Sequence, residues 1–298
     1  MVPESDRQHI SAYRERIIDE IVRALGGSPS GAARHLLGPL FRLPAGRFAR
    51  IMARADSKVR TSGLPGGAGS ILCDFGLEPV VWGAGRIPKE GPLVVASNHP
   101  GAYDSLALMA SISRTDLKIV ISDVGFTRAL PAASERFIFA PNTIRGRAQA
   151  LRDALRHLAG GGSLLIYPHT EVEPDPETMP GAREALGDWS RAIEIMLRRV
   201  TATRLQLAIA SGILLPRFIE SPLVRLRRNA AHRQKLAEFL QVSWQMIFPK
   251  RVRPRLHLSF AAPVDSAALP ADRLMPAVVE MARRLFDTHM AAVRGSAE

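Results

Sequence analysis

From residue 75 onward the chain alternates short apolar runs with longer stretches in which apolar residues recur every three or four positions. The short runs, at 77–81, 93–96, 117–121, 137–140, 163–167, 205–210 and 255–260, have strand length, and β-branched residues fill several of them. Residues 213–215 read as an irregular extension of the sixth. The longer stretches, at 106–112, 147–158, 182–199, 229–247 and 272–292, carry a helical period. Ala148, Leu151, Leu155 and Leu158 share one helix face, and Leu274, Val278, Met281 and Leu285 share another. Strands alternating with helices predict an α/β fold, a mixed β-sheet flanked by helices, spanning 75–298.

Residues 1–74 read as a separate N-terminal helical region. Ile10, Tyr13, Ile17, Ile21 and Leu25 follow a helical period that Gly26-Gly27 ends. Two further helical pieces are expected over 31–55, broken at Pro39 and Pro44. The second sets Phe48, Ile51 and Met52 among Arg47, Arg50 and Arg54, a pattern that suits either an anionic lipid surface or packing on the main domain. The Gly-rich stretch 63–69 reads as a linker.

Charge narrows the partners. A net charge of +12 calls for an anionic one: a membrane surface, a phosphorylated substrate or nucleic acid. With three Trp and three Tyr, stacking platforms are scarce, and nucleic acid is not expected. The single cysteine, Cys73, excludes an intramolecular disulfide and a Cys-cluster metal site, and fits a reducing compartment. The first residues are too polar for a signal peptide, and no run approaches the roughly 20 apolar residues of a membrane span. The expectation is a cytoplasmic protein attached peripherally to the inner face of the membrane.

The candidate chemistry sits where the apolar run Leu93-Val94-Val95-Ala96 gives way to Ser97-Asn98-His99-Pro100-Gly101-Ala102-Tyr103-Asp104. On one continuous helix, residues five apart lie about 140° from a common face and do not meet. Pro100 and Gly101 break the segment, so the chain can fold back and bring Asp104 to His99. The carboxylate would then fix the imidazole tautomer and stabilise the imidazolium, giving a general base with its orienting partner. A His and an Asp that merely cap a turn would leave the same pattern.

This segment resembles the Asn-His-x-x-x-x-Asp motif of the glycerolipid acyltransferases, the glycerol-3-phosphate and lysophosphatidic acid acyltransferases. Gly83, Pro88, Gly91 and Pro92 precede it in the order that family shows. Gly162-Ser163-Leu164-Leu165-Ile166-Tyr167-Pro168 resembles the strand leading into the family's Phe-Pro-Glu-Gly-Thr motif. The resemblance spans about residues 80–264 and implies transfer of a fatty acyl group from acyl-CoA or an acyl-carrier protein to a glycerolipid hydroxyl. The acceptor it implies is lysophosphatidic acid or glycerol 3-phosphate, with no cofactor needed. His99 would take the hydroxyl proton and Asp104 would orient His99. Asn98, Gly101 and Tyr103 would line the site, with backbone N–H groups near Gly101 and Tyr103 facing the oxyanion.

The second motif is only partly matched. Tyr167 and Pro168 stand for Phe-Pro, and His169 stands where the family has Glu. The family's Gly and Arg have no counterpart in His169-Thr170-Glu171-Val172, so Glu171 is the candidate replacement carboxylate. The family's fourth motif carries a proline that 208–212 lacks. Arg145 and Arg147, near the family's phosphate-binding block, are candidate phosphate forks, though solvated surface arginine reads the same way. Gly160-Gly161-Gly162 is no phosphate loop, because no Lys-Ser or Lys-Thr follows; it reads as a helix C-cap. Two other classes stay open. One is a catalytically silent lipid- or nucleic-acid-binding protein of the same fold. The other is a metal-dependent hydrolase assembled from His99, Asp104, His169 and Glu171.

Overall fold

In the computed structural model, residues 4–24, 27–123, 125–169, 171–227, 229–248 and 251–296 are described. Leu25, Gly26, Thr170 and Arg228 lie outside them. Two helices come first, α1 (Glu4–Ala24) and α2 (Ala32–Phe75). They are followed by β1 (Val80–Trp82), β2 (Leu93–Ser97), α3 (Ala102–Ser111), β3 (Lys118–Ser122), α4 (Pro131–Ser134) and β4 (Phe137–Ala140). Then come α5 (Ile144–Ala159), β5 (Ser163–Ile166), α6 (Ala182–Ala185), α7 (Ala192–Arg199), β6 (Arg204–Ser211), α8 (Pro216–Ile219) and α9 (Pro222–Arg225). The chain ends with α10 (Ala230–Ile247), β7 (His257–Phe260), β8 (Val264–Asp265) and α11 (Leu274–Gly295).

The fold is a mixed α/β sheet flanked by helices. Its strand order is β1-β7-β6-β2-β5-β3-β4, with β8 also pairing with β6. β6, β2, β5, β3 and β4 run parallel to one another, whereas β7 and β8 pair antiparallel with β6. β2 lies between β5 and β6 and is buried along its whole length, as a central strand covered on both faces requires. The strand period of two divides the core. Leu93, Val95, Leu165, Ala208 and Ala210 point to one face, where α1, α2 and α3 contribute Ile17, Ala49, Ile71 and Leu108 to the same cluster. Val94, Ala96, Leu164, Ile166, Leu207 and Ile209 point to the other, against Leu158 of α5, Ile193 of α7 and Val278 of α11.

Several sequence expectations need correction. Pro39 and Pro44 do not break the N-terminal helix; both lie within α2. Each interior proline costs about 3 kcal/mol, so the core contacts of Ala45, Ala49 and Ile51 and the bonds from Arg34 to Glu15 and Asp19 of α1 must outweigh the local cost. Residues 63–69 are not a linker. Only Gly63 leaves helical backbone, at φ 67°, and helix continues beyond it. A Cβ on Gly63 would lie 3.2 Å from the Thr115 backbone, so the kink marks a close approach to the segment before β3. Pro65 falls in the first turn after this kink, where its missing N–H has no helical partner to lose.

The strand expected at 77–81 starts at Val80, and 182–199 is not one helix but α6, a short 3₁₀ turn and α7. Residues 213–215 are not strand; their backbone N–H groups are turned onto side chains instead.

Asp56 of α2 crosses to the start of α4, where its carboxylate accepts Ala133 N–H at 2.8 Å and Ala132 N–H at 3.2 Å. This side chain caps a helix far away in the sequence. Asp56→Ala is expected to destabilise the fold by about 1–2 kcal/mol, seen as a lower urea midpoint at unchanged slope. An unchanged midpoint would show that α4 does not need this cap.

Candidate active site

β2 ends at Ser97, and the segment Asn98–Gly101 turns the chain into α3. A strand end at the centre of a parallel sheet is where α/β proteins place ligands. Gly101 lets this turn pack tightly, since a Cβ there would come within 3.0 Å of both Ile213 and the Glu238 carboxylate. Of the two readings the spacing allowed, the structure shows the one in which the break brings His99 and Asp104 together. His99 Nδ1 lies 3.0 and 3.2 Å from the two Asp104 carboxylate oxygens.

Asp104 is fully buried and collects further donors: Gly101 N–H at 3.0 Å, Ser105 Oγ at 3.0 Å and Tyr167 Oη at 3.2 Å. Every one of these groups donates to the carboxylate, which has no proton to give in return as long as His99 Nδ1 carries one. It therefore holds the proton of His99 on Nδ1 and leaves Nε2 as the acceptor, which has no protein partner among the described residues. The imidazole side chain keeps 27% exposure, so the outer nitrogen can be reached. Tyr167 stacks on the ring at 4.2 Å between centroids and 24° between planes, and its hydroxyl also lies 2.9 Å from Ser105 Oγ. Burial works against a charged imidazole, but Asp104, with Glu238 and Glu173 beyond it, outweighs burial and holds the pKa of His99 above its ordinary value.

The other predicted residues divide sharply. Asn98 is buried, and its amide pairs with β6 backbone: Nδ2 donates to Ala210 O at 2.9 Å and Oδ1 accepts Ala210 N–H at 2.8 Å. It extends the β2–β6 ladder by a side chain. Gly101 N–H goes to Asp104 and Ala102 N–H to Glu238, so neither is available to an oxyanion. Tyr103 is buried on the side of the core cluster, edge-on to Phe75, with its hydroxyl on Gln245 Oε1 at 2.5 Å.

Pro168 is buried and its carbonyl accepts Ser190 N–H at 3.0 Å. His169 Nδ1 meets the Glu171 backbone in a local turn, and the Glu171 side chain is exposed. Arg145 and Arg147 are exposed in the first turn of α5. That turn follows β4, three strands from β2, or about 14 Å at strand spacing. His99, Asp104, His169 and Glu171 do not form a metal-holding cluster, and no such cluster exists among the described residues.

Two carboxylates that sequence reading missed stand beside His99. Glu173 is 1% exposed; one oxygen accepts His99 N–H at 2.8 Å and the other accepts Trp189 Nε1–H at 3.0 Å. Burial pushes its carboxyl up to about 7, against the pull of these two donors and the neighbouring imidazoles. Glu238 comes from α10 and accepts Ala102 N–H; burial raises its pKa as well.

Glu238 belongs to a polar stripe on α10. Gln234 donates to Pro100 O and Glu173 O, Gln241 pairs with Leu215 N–H and Ile213 O, and Gln245 bridges Tyr103 and Val252. The spacing 234, 238, 241, 245 is one helix face. Sequence inspection could have found this face from its period, but its residue types suggest solvent.

Asn98→Ala would leave a buried N–H and a buried C=O of Ala210 unpaired, each costing about 1–3 kcal/mol. The expected outcome is a marked loss in urea stability together with loss of activity. A variant as stable as the parent and only weakened in substrate binding would return Asn98 to a substrate role.

No family model matches the chain, and no curated protein matches it significantly. Among solved structures it is similar to the crystal structure of the 1-acyl-sn-glycerophosphate (LPA) acyltransferase PlsC from Thermotoga maritima. The TM-score is 0.50 at 14% identity, over 85% of this chain and 92% of that one. The chain therefore has a glycerolipid acyltransferase-like fold, with its His99–Asp104 pair at the exit of the central strand.

Proposed function

We propose that the protein is an O-acyltransferase that moves a fatty acyl group from a thioester, on CoA or an acyl-carrier protein, to a glycerolipid hydroxyl. The observation that carries this reading is His99 itself, bonded through Nδ1 to a buried carboxylate and with no partner at Nε2 among the described residues. The acceptor hydroxyl gives its proton to Nε2 as its oxygen attacks the thioester carbonyl. The tetrahedral intermediate then collapses, the C–S bond breaks, and the imidazolium returns the proton to the departing thiolate. His99 is thus regenerated, and the products are an ester and a free thiol.

The acceptor we favour is lysophosphatidic acid or glycerol 3-phosphate. The described charges nearest His99 are carboxylates, so the phosphate is placed away from them, toward Arg145 and Arg147 at the same end of the parallel strands. Acyl-thioester turnover with lysophosphatidic acid, read as thiol release, tests the reading. His99→Ala is expected to lower turnover by about 10²–10⁴-fold, and Asp104→Asn strongly, with both proteins folded. Folded His99→Ala at near wild-type rate would sink the mechanism.

A lipid acceptor needs access from a bilayer, and no helix among the described residues is long and apolar enough to cross one. We propose peripheral attachment. Leu36, Leu40 and Leu43 of α2 are exposed, as are Leu223, Leu226, Trp244, Ile247 and Phe248 in and around α9 and α10. Phe41 against Phe239 joins the two regions, and Arg42, Arg225, Arg227, Arg233 and Lys235 are exposed among them. Each such cation contributes about 1 kcal/mol toward an anionic surface. Co-sedimentation is expected with anionic but not neutral vesicles, weakening as salt rises; equal binding to both would count against it.

A further inference from the structure

The segment after the second motif reads Glu173-Pro174-Asp175-Pro176-Glu177, an acid at every second position with prolines between. Proline fixes φ and carries no N–H, so this stretch has little freedom and few donors of its own. Each acid takes hydrogen bonds from a neighbouring element. Glu173 holds His99 from both sides: its carboxylate accepts His99 N–H, and its own N–H donates to His99 O at 2.8 Å. Asp175 is fully buried and accepts three consecutive N–H groups past the end of β6, Gly212 at 3.0 Å, Ile213 at 2.7 Å and Leu214 at 3.0 Å. Glu177 accepts Ser211 Oγ at 2.5 Å and pairs with His257 Nδ1 at 2.7 Å. Gln234 of α10 then clasps the carbonyls of Pro100 and Glu173 together.

We propose that Glu173 is a positioning residue for the His99 base, and that the 173–177 segment is the strap that fixes the His99 loop against the exit of β6. The proposal deepens the acyl-transfer reading and rests on it. Glu173 does not touch the reacting atoms, because both of its carboxylate oxygens are engaged by His99 N–H and Trp189. It acts through the His99 backbone and through its charge. A glutamine in its place can accept from His99 or from Trp189, but its amide N–H₂ cannot accept from the other, so one bond of the pair is lost. The groups facing His99 are Asp104 on α3, Tyr167 beyond β5, Glu238 on α10 and Glu173 on the strap. Asp104, Glu173 and Glu238 all favour the imidazolium, so removing the Glu173 charge lowers the pH at which His99 deprotonates.

The test is Glu173→Gln, read by NMR titration of the His99 imidazole, whose signal is identified by its absence in His99→Ala. The pH profile of acyl transfer is measured beside it. In the folded variant the His99 titration is expected to move to lower pH, and the acidic limb of kcat/KM to move with it. Loss of backbone fixation is expected to lower kcat on the order of tenfold to a hundredfold, with KM for the acyl thioester within about twofold. An unmoved His99 titration overturns the proposal, as does a raised KM at full kcat, which would make Glu173 a substrate contact. Where Glu173→Gln does not fold, Trp189→Phe removes one donor to Glu173 and leaves the bonds of His99 in place. A smaller shift to lower pH is then expected, and no shift overturns the proposal. The NMR titration needs no turnover, so failure of the acyl-transfer reading and failure of this proposal are told apart.

Discussion

A carboxylate with no solvent exposure must find its hydrogen bonds inside the protein or give up its charge. Asp104 finds them in His99 Nδ1, Gly101 N–H, Ser105 Oγ and Tyr167 Oη. Those donors come from the turn after β2, the first turn of α3 and the exit of β5. Satisfying one ion therefore sets the path of the His99 loop, the ring stack of Tyr167 and the tautomer of the imidazole together. The helix start adds its own attraction, since Asp104 lies in the first turn of α3, where a negative charge is favoured.

Around this ion the protein arranges acids in an otherwise basic chain. The net charge is +12, yet the charges acting most strongly on His99 are Asp104, Glu238 and Glu173. The arginines are mostly spread over the surface, where they can face lipid or phosphate from outside. The carboxylates are turned inward and each is engaged by backbone amides. This division lets the surface attract anions while the His99 imidazole keeps a raised affinity for its proton.

The helix α10 shows how much of that support is polar. Its inward stripe of Gln234, Glu238, Gln241 and Gln245 bonds to the His99 turn, the strap, the residues past β6 and Tyr103. Buried polar networks of this kind cost stability when half satisfied, but they specify one arrangement when complete. Apolar side chains at the same positions would bury area without fixing the backbone carbonyls and amides of an irregular loop.

The period of two in the strands and the helical faces of α5 and α11 are local properties, so the sequence alone determined the α/β class; the Pro-Gly break between His99 and Asp104 allowed their pairing, and the tertiary structure chose it over a mere turn cap. The path of α2 through Pro39 and Pro44 was not legible, because a proline's local cost is visible in sequence and the core contacts that outweigh it are not. The same limit hid the support of the site. Glu173 lies 74 residues from the His99 amide it accepts, and Glu238 lies 136 residues from Ala102. In sequence, Glu173 lies in an acidic, proline-rich stretch and Glu238 is a lone acid on an amphipathic helix, and either position would suit solvent equally well. Only the tertiary structure decided that they are inside, because what holds a carboxylate in the interior is a set of donors from other elements, and a residue's own neighbours along the chain do not reveal them.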